Sequence, residues 1–264
     1  MELTQKIAFA LYFVTLGVTL LGFLLAKAWK FRYALFSLAL GWGFSTIYIA
    51  LRWASAGRAP MSNQYESLIF LLWTFIAIYF ILMYLSAQPL EWLVPWVALL
   101  AIITVGVGSL LDKSISPLVP ALQSNWLLIH VSTVMAGYGA LALSFLIAVV
   151  FLFMGAPAHA AKREALDPLM LRSCIIGFWM LTLGIITGAV WANSAWGSYW
   201  SWDPKETWSL ITWLFYAMAI HLRRTRGWKH VKFAQLMAGG FVLVLFTYFG
   251  VNYLLSGLHS YGRQ

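Results

Sequence analysis

Charge is scarce in this chain. Asp, Glu, Lys and Arg make up 9% of its 264 residues, against about 25% in soluble domains. So little polar surface cannot cover a soluble globule when 62% of the residues are hydrophobic, whereas a bilayer is a solvent that fits. Acidic residues are the rarest, eight against seventeen Lys and Arg. The resulting net charge of +9 is expected in the cytoplasmic connections of a membrane protein. No basic stretch interleaved with aromatics suggests nucleic acid. Cysteine is almost absent. A single Cys174 excludes an internal disulfide and any Cys-x-x-Cys redox or zinc site; inside an apolar run it reads as a small buried residue. Low-complexity tracts, convincing internal repeats and a separate soluble domain are also missing.

Apolar runs are what the chain does have. A spanning helix needs about 20 such residues, and eight stretches qualify: 7–26, 33–53, 67–86, 90–110, 128–154, 172–192, 206–223 and 235–256. They predict an all-α polytopic membrane protein of about eight transmembrane helices, one integral membrane domain over residues 1–264. The first run is too long for a signal peptide, its cations follow it, and no small-residue cleavage pattern appears, so it reads as a retained anchor. With the N-terminus outside, eleven Lys and Arg fall on inner connections and six on outer ones. The positive-inside rule therefore puts both termini and the connections 54–66, 111–127 and 193–205 on the extracytoplasmic side of a bacterial cytoplasmic (inner) membrane or an equivalent energy-transducing membrane.

Between the sixth and seventh runs lies the least ordinary stretch, residues 191–208, W-A-N-S-A-W-G-S-Y-W-S-W-D-P-K-E-T-W. An aromatic belt at the headgroup level explains isolated rings such as Trp92 and Trp96. Six of fifteen Trp between 191 and 213 exceed what a belt needs. Trp191, Trp196, Tyr199, Trp200, Trp202 and Trp208 read as a loop that offers a flat apolar ligand, haem, a stack of rings. Were 196–200 helical, Trp196, Tyr199 and Trp200 would share one face. Asp203-Pro204-Lys205-Glu206 has the pattern of a helix start: Asp203 as cap, Pro204 at the first position, Glu206 closing a capping box. A helix N-terminus also attracts anions, and Lys205, the loop's cation, reads equally as a partner for a haem propionate or as a solvated lysine.

The chain has five histidines. His159 and His230 fall in basic inner connections and read as solvated. His130, opening the fifth run, and His259, following the eighth, lie on the outer side with the Trp-rich loop. Two imidazoles from separate helices can take the two axial positions of one haem iron. His221 stands eighteen residues beyond Asp203, about 27 Å along a helix, near the inner boundary of the hydrocarbon. There an ionisable residue reads either as functional or as an interfacial neighbour of Arg223 and Arg224; as a haem ligand it would need a second ligand from a partner. In the outer stretch R-A-P-M-S-N-Q-Y-E-S, Asn63 and Glu66 are placed as cap and third residue of a helix, and Arg58 is a further cation that could meet a propionate.

The run W-A-N-S-A-W-G-S-Y-W-S-W-D-P-K-E-T-W-S-L-I-T-W-L, continuing to His221, resembles the Trp-rich WWD domain of haem-handling proteins in cytochrome c biogenesis. R-A-P-M-S-N-Q-Y-E-S, the H-V at His130 and G-L-H-S-Y around His259 extend the resemblance, and the whole layout is similar to the CcsA/ResC branch of the System II synthase. The resemblance implies a cytochrome c synthase (haem lyase) component working with a CcsB-type membrane subunit. The pair would carry haem b across the bilayer and attach it to the Cys-x-x-Cys-His motif of apocytochrome c. His130 and His259 then correspond to the external axial ligands and His221 to a histidine within the membrane. Trp191, Trp196, Tyr199, Trp200, Trp202, Asp203, Lys205 and Trp208 belong to the haem-binding stretch. No protein nucleophile is expected, because the substrate cysteines supply the thiols. No CcsB-like half is present in this chain. The alternatives are a CcmC-like haem delivery protein that attaches nothing, a pure haem exporter, and a membrane subunit whose Trp form only a belt.

Overall fold

The computed structural model describes residues 2–24, 30–86, 90–154, 160–255 and 257, and the regular structure among them is helical. The chain forms two compact units, residues 1–116 and 117–264. Six helical stretches among the described residues are long and apolar enough to cross a membrane: Arg32–Ala56, Gln64–Leu85, Glu91–Ser109, Asn125–Phe153, Ala160–Trp196 and His230–Leu254. The protein is therefore a multi-pass membrane protein.

The first unit contains α1 (Glu2–Leu24), α2 (Lys30–Ala56), α3 (Gln64–Leu85) and α4 (Val94–Ser109). Asn63 caps α3 as expected, its side chain accepting the Glu66 N–H at 2.8 Å. Glu66 does not reach back to Asn63. Its carboxylate accepts from Arg52 Nε at 2.9 Å, Arg58 Nη1 at 3.1 Å and the Ser62 N–H at 2.9 Å. Two guanidiniums bind a carboxylate more strongly than one amide does, so the acid serves the ion pairs. Arg52 and Glu66 are only 3% and 2% exposed. Arg58, considered above for a propionate, is engaged with Glu66 and the Ser116 carbonyl.

The second unit contains α5 (Asn125–Phe153), α6 (Ala160–Trp196), α7 (Pro204–Thr225) and α8 (His230–Leu245). α8 continues through a π-helical turn, Phe246–Gly250, into the short α9, Val251–Leu254. Residues 160–171, read above as part of an inner connection, are the first turns of α6. At 37 residues this helix is about 55 Å long, well beyond the roughly 30 Å of hydrocarbon. Its early polar turns are stabilised from inside the protein. Asp167 receives Arg223 in a bidentate pair, Nη1 to Oδ1 at 2.8 Å and Nη2 to Oδ2, and the His230 N–H donates to Oδ1 at 2.8 Å. One buried carboxylate thus ties α6 to the end of α7 and the start of α8. Arg223, one of the eleven inner cations of the sequence, is consequently a buried residue of this tie.

α5 and α6 pack antiparallel along a seam built from small residues. On α6 the seam runs Gly177, Leu181, Gly184, Gly188 and Trp191, alternating steps of four and three that keep one face. An added Cβ at Gly177 would fall 2.6 Å from Leu141, at Gly184 2.5 Å from Val134 and at Gly188 2.6 Å from the His130 ring. Absent side chains let the backbones approach, as is common between helices in membranes. Cys174 is fully buried beside this seam, as its sequence context suggested.

Candidate functional site

The seam ends at His130. Its Nδ1 lies 2.7 Å from the Gly184 carbonyl oxygen. A carbonyl oxygen only accepts, so Nδ1 carries the hydrogen, and in a neutral imidazole this leaves the lone pair on Nε2. Donation to a main-chain carbonyl from the second ring nitrogen is the usual way a protein orients an iron- or zinc-binding histidine. The ring also lies parallel to Trp191, centroids 5.9 Å apart and 8° between planes, and covers Gly188. Three residues of one helix therefore set its tautomer, tilt and depth.

Trp191 is not part of a loop. It is 1% exposed, within α6, and its Nε1 donates to the Ala121 carbonyl at 3.0 Å. Trp196, edge-on to it at 4.7 Å, is the last residue of α6. The chain then turns at Gly197, φ +77°, a conformation glycine adopts without steric cost. The connection is 197–203, shorter than the 193–205 expected and only part of the Trp-rich stretch 191–208, and Trp196, Tyr199 and Trp200 do not share a helical face. Trp191 and Trp196 instead form a backing layer behind His130. Tyr199 and Trp202 stand out at 60% and 67% exposure, with Trp200 perpendicular to Trp202 at 5.7 Å. Trp208 sits in the second turn of α7 with its ring 4.3 Å from Phe246 of the π-helical turn.

The start of α7 has the expected capping box, Asp203 accepting the Lys205 N–H at 3.0 Å and Glu206 accepting the Asp203 N–H at 3.2 Å. Lys205 is not a solvated lysine. Its Nζ donates to Asn252 Oδ1 at 2.6 Å, and burial pushes the ammonium down to about 8, with the Asp203 carboxylate opposing the shift. His221 is exposed on α7. His230 opens α8 half-exposed, as a connection residue should be. His159 and His259 lie outside the described residues. Gly257 is described, and a Cβ there would fall 2.4 Å from Asp203 Oδ1 and 3.0 Å from Pro204 Cδ. The C-terminal chain thus passes in contact with the α7 start before it reaches His259 in sequence. Gly184 and Gly188 escaped the sequence reading, although their G-x-x-x-G spacing opposite a membrane histidine was the signal available.

Known proteins are similar to this chain. The family model described as Cytochrome C assembly protein matches residues 61–259. A cytochrome c biogenesis protein CcsA of Prochlorococcus marinus (strain MIT 9312) is 40% identical over 251 residues, covering 82% of this chain and 80% of the relative. The CcsA of Guillardia theta is 41% identical over 248 residues, with 82% and 81% covered. That of Chlamydomonas reinhardtii is 43% identical over 228 residues, covering 82% of this chain but 64% of the algal protein. Among solved structures, Cytochrome c Heme Lyase CcmF superposes with a TM-score of 0.61 at 19% identity, over 94% of this chain. The chain spans 46% of the length of that structure, and the likeness is one of fold.

Proposed function

We propose, for a chain that belongs to the CcsA family of cytochrome c biogenesis proteins, that it is the haem-handling subunit of a membrane cytochrome c synthase. It takes haem b across the membrane, holds it beside residues 197–208 on the extracytoplasmic side, and presents it to the Cys-x-x-Cys-His motif of apocytochrome c. A CcsB-type membrane subunit works with it. The observation that carries this reading is the cradle of His130: an imidazole fixed through Nδ1 by the Gly184 carbonyl and backed by Trp191.

The donor set fits the cargo. Nε2 of His130 bears the lone pair an iron needs, and His259 is the expected second axial ligand. Tyr199, Trp200 and Trp202 supply ring faces for the macrocycle, while Trp191 and Trp196 back His130 and Trp208 packs on Phe246. Lys205, held at the α7 N-terminus with Asp203, is suited to a propionate. His221, exposed near the other end of α7, serves as a ligand on the inward part of the path, its partner ligand coming from the CcsB-type subunit. The substrate cysteines add across the haem vinyl groups, so the chain's own task is positioning. The test is the full chain co-purified with its CcsB-type partner, scored by Soret absorbance and by covalent haem on apocytochrome c. His130→Ala and His259→Ala are each expected to lower both. Unchanged bound haem and unchanged yield in both variants would reject the ligand assignment. Retained haem transfer without any thioether product would assign the chain to delivery instead.

A further inference from the structure

Trp202 has a left-handed backbone, φ +60°, yet its indole is 67% exposed. A ring-bearing L-residue holds that conformation only when its surroundings over-determine it, and an exposed side chain offers little packing to do so. The restraint is found on the backbone to either side. The Ser201 N–H donates to Glu206 Oε2 at 2.8 Å and the Asp203 N–H donates to the same oxygen at 3.2 Å. The Ser201 hydroxyl adds a contact at 3.3 Å, and Thr207 Oγ1 donates to the Trp202 carbonyl at 3.3 Å. A capping box asks of the Glu206 carboxylate only the Asp203 bond. The bond to Ser201 reaches past Trp202, so that a single carboxylate oxygen brackets this residue. Glu206 itself is buried, 9% exposed, and fixed by the first turn of α7.

We infer that Glu206 is a positioning residue for the haem face, its carboxylate holding Trp202 in the left-handed conformation that stands the indole outward at right angles to Trp200. This rests on the haem reading above for its purpose and on the bracket alone for its geometry. Without the bracket, the left-handed state loses about a factor of ten in population, the factor set by the sterics of Cβ against its carbonyl. Apparent affinity for a ligand that needs that state falls by the same factor.

Two measurements on the full chain test it. In protein labelled with 5-fluorotryptophan, the Trp202 resonance, assigned by its loss in Trp202→Phe, is expected to move or broaden in Glu206→Ala. It should stay near its place in Glu206→Gln, whose amide oxygen can accept the same two N–H groups. Haemin titration followed at the Soret band should show Glu206→Ala about tenfold weaker and Glu206→Gln close to the parent. The double variant Glu206→Ala/Trp202→Ala should bind no worse than Trp202→Ala alone, because a positioning residue has nothing left to position. An unmoved Trp202 resonance in Glu206→Ala overturns the inference, as do two losses that multiply in the double variant. Parent-like haemin binding by Trp202→Ala sinks the haem reading of this ring instead, while a shifted resonance still upholds the bracket. Circular dichroism and melting of each variant exclude global unfolding, and if Glu206→Ala fails to fold, Glu206→Asp, whose carboxylate is one methylene too short to hold both N–H groups, takes its place: an unmoved Trp202 resonance there overturns the inference.

Discussion

Gly188→Ala is the sharpest probe of the His130 cradle. An alanine Cβ at this position would sit 2.6 Å from both Cε1 and Nδ1 of His130 and 3.4 Å from Cγ. Carbon atoms rest at about 3.5–4.0 Å, so the ring must retreat by about 1 Å. A retreat away from α6 stretches the 2.7 Å bond to the Gly184 carbonyl beyond hydrogen-bond range and loosens the stack on Trp191. The stability loss is that of a mild overpacking, about 1–3 kcal/mol, which a helix-favouring Gly→Ala change offsets by up to about 1 kcal/mol. The functional loss is larger, because about 1 Å of misplacement at a reacting centre can cost on the order of 10²-fold. Co-purified haem and covalent haem on apocytochrome c should both drop at least tenfold, as an order-of-magnitude floor, with helical content retained. Gly239→Ala, in the same unit with nothing within 4 Å of its Cβ, is the control and should leave both readouts unchanged. If Gly188→Ala keeps the parent Soret spectrum and yield, the ring is not held there for ligation. A double variant His130→Ala/Gly188→Ala that is worse than His130→Ala would likewise show that Gly188 acts elsewhere.

Three further outcomes follow from other residues. Asp167→Asn leaves Arg223, 8% exposed, without its charge partner and should cost about 3–5 kcal/mol, read as a lower melting temperature in detergent; Asp167→Leu with Arg223→Met should recover much of it. Glu66→Gln deprives Arg52 and Arg58 of one shared carboxylate and should lower stability by a similar several kcal/mol, seen as reduced steady-state protein before any loss of haem chemistry per molecule. Burial holds Lys205 down to about 8 in the folded chain, against 10.5 ordinarily. Between those values the unfolded chain binds the extra proton, so stability rises with pH across that window; Lys205→Met should remove that part of the rise, and an identical pH profile in both proteins would refute it.

Much of this architecture was written in local sequence. The helix start at Asp203-Pro204-Lys205-Glu206 and the Asn63 cap were legible because their chemistry is complete within four residues. The end of α6 was misplaced for the opposite reason. Ala192, Asn193, Ser194 and Ala195 neither break a helix nor propagate an apolar stripe, so by tryptophan density the stretch reads as a loop. Gly197 was the better stop signal, since it supplies the left-handed residue at which helices commonly end. Residues 160–171 failed similarly. Lys162, Arg163 and Glu164 have loop composition, and Pro168 lies inside the helix, but docking through Asp167 outweighs local preference.

What no local pattern could reveal is which helices face one another. Arg52 is one of the six outer cations and Arg223 one of the eleven inner ones, yet each is buried against an acid fourteen or fifty-six residues away. Removing one from each side leaves the inward excess as it was, so the topology argument survives the error. The His130 site depends on the same missing information. His130 and Trp191 meet only because glycines at 177, 184 and 188 bring α5 and α6 close, and that spacing places the imidazole against a bare stretch of helix whose carbonyl at Gly184 is within reach. The sequence displayed the histidine and the tryptophan as separate attractions for haem. The fold makes one the support of the other, and moves the exposed ring surface to Tyr199 and Trp202. A variant series that weighed every tryptophan of the stretch equally would therefore mix two effects. Losing Trp191 should misorient His130, whereas losing Trp202 should remove contact area and leave the histidine where it is.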